Sequence, residues 1–368
     1  MLLNFKYTDK LVNDLIKIEK YKTALDYLYL PTRTKQKLMY DAKLKKTHFS
    51  TSIEGNVLSY NQVEQVVKSK EETYRLSAEQ EVQNYWDALT FLEKCKTEKR
   101  KIDIQFIYQL HDIIERKGKL KRINFREQTP PGVLFAVYDS TTNKQEYIPP
   151  ESKDIVPLIK QMLHWYDNSY SIPVAIKAAI INYAFVSIHP FMDGNGRTSR
   201  ALATYILMIE DYDFKGFNSF EEYYMSDLEG YYSSLQMGLP PLFYDGRENP
   251  PHLEIWLEYF VRIMALNAEN IYNQAFEASK KEKDNNLLGL TKKDLILVRY
   301  CLENNICRIK PKQIASIFNV TSRAINKWTI EWVRKGILEP SSGDKRITEY
   351  KLTEKFSNMK TSELGYIE

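Results

Sequence analysis

Residues 189–200 read His189-Pro190-Phe191-Met192-Asp193-Gly194-Asn195-Gly196-Arg197-Thr198-Ser199-Arg200. The run 173–188 before them is apolar nearly all round, which predicts a buried helix. A second helix is expected from about 197 to 210, with Leu202, Tyr205, Ile206 and Ile209 on one face. Gly194 and Gly196 lack Cβ, so the backbone between the helices can approach a ligand closely. The start of the second helix offers unpaired N–H groups and a positive dipole end, and together these make an anion nest. Arg197 and Arg200 are three apart and share a face there. Two forked guanidiniums beside a nest suit a polyphosphate better than one carboxylate. Asp193 places a hard oxygen ligand beside the nest, as Mg²⁺ prefers when it also takes phosphate oxygens. His189 stands at the mouth, where a neutral imidazole takes a proton from an incoming hydroxyl. Taken singly, these features are a structural histidine, a solvated arginine pair and a turn. Their joint occurrence in one short segment points to a phosphate-handling site. The GxxxxGK[ST] pattern is absent, so the segment is not a Walker P-loop.

Working outward, helical periodicity dominates. It predicts helices over 11–30, 34–50, 79–95, 104–117, 153–167 and 253–278, with Ser59 and Gln62 as a capping box and Gly118 as a C-terminal cap. Residues 129–150 break the pattern: two short apolar stretches flank a polar turn, which predicts a β-hairpin over 133–148. The segment 236–252, rich in proline and glycine, reads as a structured loop, and the charge run 279–289 as a linker.

Residues 290–352 hold thirteen Lys/Arg and six Asp/Glu, a charge of +7, which leaves −3 for the rest of a chain whose net charge is +4. Their pattern is three helices (291–304, 311–318, 321–335) and a strand-turn-strand, the order of a winged helix-turn-helix. Ile325, Trp328 and Trp332 are expected in its core, and Thr321, Ser322, Arg323, Asn326 and Lys327 on an outward face that could meet DNA or a protein. Hydrophobic residues at 43% and charged residues at 27% exclude a disordered or fibrous chain. Cys95, Cys301 and Cys307 build no disulfide framework or CxxC zinc site and fit a reducing cytosol. No apolar run of about 20 residues predicts a membrane span, and MLLNFKYTDK lacks a signal-peptide core. The expectation is a cytoplasmic protein with no membrane partner. The five histidines show no HxxxH or similar zinc spacing.

The stretch 189–200 resembles the Fic (filamentation induced by cAMP) motif HxFx[D/E]GNGRxxR at every defined position, and the likeness extends over roughly 50–265, through the hairpin and Tyr231-Tyr232-x-x-Leu235. The resemblance implies a mostly α-helical fold and, for most members, transfer of AMP from ATP to a protein Ser, Thr or Tyr hydroxyl. By position it implies that His189 is the general base and Asp193 the Mg²⁺ ligand. Gly194, Asn195 and Gly196 would form the anion hole, with Thr198 and Ser199 in the same nucleotide-binding turn. Arg197 and Arg200 would hold the outer phosphates, Phe191 would pack the loop into the core, and Tyr231 would stand by the nucleotide. The hairpin corresponds to a flap along which a target protein binds. Some members carry an Asn eight residues after the first Tyr; this chain has Leu239 there.

Residues 50–56, Ser-Thr-Ser-Ile-Glu-Gly-Asn, resemble the Fic inhibitory motif [S/T]xxxE[G/N], with Glu54 as its glutamate. The resemblance implies that Glu54 pairs with Arg200 and competes with the γ-phosphate, and that this brake lies N-terminal to the catalytic domain. The expected organisation is an N-terminal helical region with the inhibitory motif (1–100), a Fic core with the flap (101–278), the linker (279–289), the winged helix (290–352) and a tail (353–368). The expected function is protein adenylylation with ATP and Mg²⁺, held in check by Glu54. Alternatives are another nucleotide donor, removal of AMP, a DNA-binding regulator whose Fic fold senses nucleotide, and the toxin of a toxin–antitoxin pair. A homodimer is compatible with this reading.

Overall fold

The computed structural model describes residues 3–69, 77–116, 124–133, 135–138, 145–237, 239, 250, 252–287, 290–341, 349–359, 361 and 364. In chain order its elements are α1 (Asp9–Asp26), α2 (Thr32–Ile53), α3 (Tyr60–Lys68), α4 (Ser77–Thr97), α5 (Ile104–Ile114), β1 (Val137–Tyr138), β2 (Gln145–Tyr147), α6 (Ser152–Asp167), α7 (Val174–Ile188), α8 (Asn195–Ile209), α9 (Glu221–Ser226), α10 (Leu228–Gln236), α11 (Leu253–Leu287), α12 (Lys292–Glu303), α13 (Pro311–Phe318), α14 (Ser322–Arg334), β3 (Leu338–Pro340), β4 (Tyr350–Leu352) and α15 (Glu354–Ser357). The fold is mostly helical, as the periodicity predicts. Contacts divide it into two compact units, Met1–Tyr27 with Gln36–Tyr272, and Leu28–Lys35 with Asn273–Glu368. That division differs from the expected boundaries near 100 and 278.

The first unit is organised around α7 and α8. Ile176, Ile180, Tyr183, Ala184 and Phe185 of α7 are fully buried, as are Leu202, Tyr205 and Ile206 of α8. A helix apolar on every side needs neighbours on every side. Tyr205 stacks on Phe106 of α5 with ring centroids 4.6 Å apart. From α11, the Trp256 indole N–H donates to the Ala179 carbonyl at 2.8 Å, so the indole is buried with its one polar group paired. Gln62 accepts from the Ser59 N–H at 2.9 Å, the expected start of α3. β1 and β2 pair antiparallel, Val137 opposite Tyr147, as the hairpin reading expects; Leu134 and the turn 139–144 lie outside the described residues.

In the second unit, Ile325 and Trp332 are buried and Trp328 partly so, packed with Leu297, Val298 and Ile314. β3 pairs antiparallel with β4, Glu339 opposite Lys351. Four boundaries depart from expectation. α1 stops at Asp26 rather than near 30, and α5 at Ile114 rather than 117. Gly118, the expected cap of α5, lies outside the described residues, and Glu115 takes its place as the cap. Residues 279–287 continue α11 as helix, consistent with the good helix propensity of their Lys and Glu residues. The tail is not wholly peripheral, because Phe356 and Leu364 are buried in the core of the second unit. No helix among the described residues is long and apolar enough to cross a membrane.

Leu202→Ala removes a fully buried side chain from α8. The expected loss is about 2–5 kcal/mol, read as a lower urea midpoint at unchanged slope. An unchanged midpoint would contradict the central placement of α8.

Candidate functional site

α7 ends at His189, which adopts a left-handed conformation (φ 49°, ψ 58°) and donates its N–H to the Phe185 carbonyl at 3.0 Å. A non-glycine residue held there is an uncommon feature that the surrounding structure must enforce. Arg126 enforces it: its Nε donates to the His189 carbonyl at 2.9 Å and its backbone N–H to the Pro190 carbonyl at 2.8 Å. Arg126 also donates to the Pro150 carbonyl and lies 4.8 Å over the Phe135 ring. Phe135, just before β1, is 6.1 Å from the imidazole of His189. One buried arginine thus ties the end of α7 to both flanks of the hairpin.

The loop then turns inward. Phe191 is fully buried and stacks on His111 of α5, with centroids 3.5 Å apart and planes 3° apart. Asn195 closes the turn. Its Oδ1 accepts from the Phe191 N–H at 3.0 Å and its Nδ2 donates to the Phe191 carbonyl at 2.9 Å. Gly194 is the N-cap of α8 with φ 71°, a conformation that suits glycine. Its N–H donates to Asp193 Oδ1 at 2.7 Å.

The expected site residues gather at this helix start. Arg197 and Arg200 are nearly fully buried, and each holds a carboxylate. Arg200 Nη2 is 2.8 Å from Glu54 Oε1, and Arg197 Nη2 is 2.8 Å from Glu115 Oε1. α2 explains the first pair. Its last turn tightens, with the Glu54 N–H bonding the Thr51 carbonyl, which frees the Ser50 carbonyl; Gly55 then leaves the helix at φ 91°. Arg200 takes up both groups of Ser50, donating to its Oγ and its carbonyl at 2.9 Å each. Burial is the largest single influence on Arg200 and opposes its charge, but the Glu54 carboxylate, Tyr231 and Tyr85 together outweigh it and keep the guanidinium protonated. Arg197 Nε has no hydrogen-bond partner among the described residues, a buried donor left to spend.

Burial pushes the His189 imidazole down to about 4 and the Arg126 charge adds to this, while the Val186 carbonyl, Glu54 and Asp193 act the other way. The ring is therefore neutral at pH 7, the form that accepts a proton. Burial, with Arg197 nearby, takes His111 to about 3; its Nδ1 lies 3.0 Å from Thr198 Oγ1. The side chains of Thr198 and Ser199 are fully buried, and Ser199 donates to the Gly196 carbonyl at 2.8 Å. Among the nest residues, these two therefore present backbone rather than side chains. Tyr231 is buried among Tyr224, Tyr232 and Trp256, and burial raises its pKa against the pull of the neighbouring Arg200 charge. The Leu239 N–H caps α10 through the Gln236 carbonyl.

Asp193 is the most exposed of the set at 65%, 3.7 Å from Arg197. Among the described residues no three His, Cys, Asp or Glu side chains converge as a metal cage. One exposed carboxylate beside an anion nest fits Mg²⁺, which is held by few protein ligands together with phosphate oxygens. Glu115, Arg126 and His111 escape sequence reading. The groups they meet at the loop and the nest lie 63 to 87 residues away, and none of the three belongs to a local pattern.

Residues 101–207 match the model of the Fic/DOC family. The chain is 26% identical over 203 residues to a protein adenylyltransferase Fic of Drosophila virilis, covering 54% of this chain and 39% of that protein. It is 25% identical to the protein of the same name from Drosophila grimshawi, covering 54% and 40%. The chain thus spans well under two thirds of the length of these relatives. Among solved structures it is similar to a Fic family protein from Desulfovibrio desulfuricans G20, with a TM-score of 0.69 at 17% identity, covering 96% of this chain and 99% of that one. A Fic domain containing signaling protein from Bacteroides thetaiotaomicron gives 0.57 at 20% identity, covering 73% and 97%. At such identities the likeness is one of fold.

His189 and His111, like His48, are depressed and make stability depend on pH. Below an ordinary histidine value of 6.5 the unfolded chain binds protons that the folded chain refuses until about 4 at His189 and about 3 at His111. Their contribution is present above 6.5 and lost as pH falls through that window. Unfolding free energy, followed by urea titration at several pH values, is expected to drop between pH 6.5 and 4, and less steeply in His189→Gln. Identical slopes for wild type and variant would contradict the buried neutral imidazole.

Proposed function

We propose that this chain, whose residues 101–207 form a Fic/DOC domain, is a protein adenylyltransferase that moves AMP from ATP to a hydroxyl of a target protein. The observation that carries the reading is the helix start where two buried arginines meet carboxylates over a glycine turn, with a neutral imidazole at its mouth. The Drosophila proteins similar to this chain over 203 residues are named protein adenylyltransferases, which supports the same chemistry.

In this reaction the target hydroxyl oxygen bonds to the α-phosphorus. The bond from that phosphorus to the oxygen bridging to the β-phosphate breaks, pyrophosphate leaves, and the hydroxyl proton passes to His189. The free N–H groups at the start of α8 and the Arg197 and Arg200 guanidiniums hold the polyphosphate and offset the charge that develops on it. Asp193 would hold Mg²⁺, which supplies further neutralisation of the phosphate oxygens. Arg126 keeps the His189 carbonyl and the hairpin in fixed relation. A target segment added as a strand to the hairpin would bring its hydroxyl past Phe135 to the imidazole.

Glu54 is the proposed brake. Its carboxylate holds the Arg200 fork that an outer phosphate needs, so ATP entering with Glu54 in place would sit with its α-phosphorus out of line. Residues 290–352 are assigned, also as a proposal, to a winged helix-turn-helix that docks through α14, where Thr321, Arg323, Asn326 and Lys327 are exposed.

Glu54→Gly is expected to raise self-labelling and target labelling from tagged ATP by roughly tenfold or more, read by mass spectrometry as a gain of AMP. Equal labelling of wild type and variant would remove the brake; a different nucleotide fragment, or loss of AMP, would redirect the chemistry. In the Glu54→Gly background, His189→Ala is expected to cut transfer by about 10²–10⁴-fold while ATP affinity changes little. Undiminished transfer would show that another group takes the proton.

A further inference from the structure

We infer that Glu115 is a second anionic plug, which must leave Arg197 before a polyphosphate can seat. This inference rests on the proposed function only in taking the nest to receive phosphate groups. Glu115 follows α5 as its C-cap, with its N–H bonded to the His111 carbonyl, so the end of that helix delivers the side chain to the nest. The carboxylate is 8% exposed and lies 2.8 Å from Arg197 Nη2. It also covers the backbone: a Cβ built on Gly194 would fall within the Glu115 carboxylate.

Glu54 repeats this arrangement at the neighbouring position. A Cβ built on Gly196 would fall within the Glu54 carboxylate, which pairs with Arg200. The two glycines and two arginines thus make two anion positions, each filled by one carboxylate, from α5 and from the end of α2. A diphosphate or triphosphate offers at least two anionic groups and needs both positions to seat in line. Coulomb repulsion between a bound phosphate and an undisplaced carboxylate a few ångströms away is large in a poorly solvated site. Withdrawal of Glu54 therefore frees one position and leaves the other closed. The spare Nε donor of Arg197 marks that position as one that the carboxylate does not saturate.

The experiment titrates inorganic pyrophosphate calorimetrically into the full chain as wild type, Glu115→Gln, Glu54→Gly and the double variant, with unfolding midpoints as a control. Glu115→Gln keeps shape and removes charge. It is expected to bind pyrophosphate about tenfold more tightly than wild type, and the double variant more tightly than either single one. Affinity in Glu115→Gln equal to or weaker than wild type, at an unchanged midpoint, overturns the plug, as does absence of pyrophosphate binding in all four proteins. Should Glu115→Gln fail to fold, a structure of the wild-type chain with pyrophosphate decides. Glu115 displaced from Arg197 is expected, and the intact 2.8 Å pair beside bound pyrophosphate overturns it. Labelling from ATP is read in parallel. Tighter pyrophosphate binding without labelling sustains the plug and refutes AMP transfer, whereas labelling with unchanged pyrophosphate affinity does the reverse.

Discussion

Two guanidiniums buried at one helix start cannot be left without counter-charge. Arg197 and Arg200 are each under 6% exposed, and a charge so placed is costly unless an anion and hydrogen bonds accompany it. Much of the surrounding structure follows from that constraint. Without a ligand, Glu54 and Glu115 supply the negative charge and Ser50 the further acceptors. On the proposed function a nucleotide's phosphates take their place, so the resting and working states satisfy the same cations with different anions. Inhibition is then a property of the electrostatics rather than an added part.

Holding the arginines in register is the work of the fold. α7 and α8 are buried along nearly their whole length, and the turn between them is fixed at both ends. Phe191 stacked on His111 anchors it below, and the paired hydrogen bonds of Asn195 close it. Arg126 clamps its entry and reaches the residues flanking the hairpin. The left-handed conformations of His189 and Gly194 are what let a chain leaving one buried helix start another within a few residues. The imidazole loses its charge to the same burial that fixes its position.

Much of this was legible in the sequence wherever the signal is local. The motif 189–200 gave the nest, because glycine freedom, a helix start and arginines three apart are all short-range properties. The Glu54 segment was readable because it, too, is a short pattern, and the structure brings its carboxylate to Arg200 as the resemblance implied. The alternation around 133–148 gave the strand pair. What escaped depends on distant partners. Glu115 looks like any acidic residue near a helix end until α5 packs beside α8. Arg126 is a lone loop cation until its Nε meets the His189 carbonyl. Thr198 and Ser199 sit in the motif but turn inward to His111 and Gly196, which spacing along one helix cannot reveal. Residues 279–287, read as part of a linker, are helical as the end of α11: polar composition marks a segment as uncommitted to a core but does not say whether its backbone is helix or loop.

The identity of the phosphorus attacked is the most direct test of the proposed chemistry. Glu54→Gly protein would be incubated with ATP labelled separately at the α- and the γ-phosphate, and the label on protein counted. Retention of the α-label with release of the γ-label as pyrophosphate is expected. Transfer of the γ-label, or no protein-bound label from either position, would contradict AMP transfer at this nest.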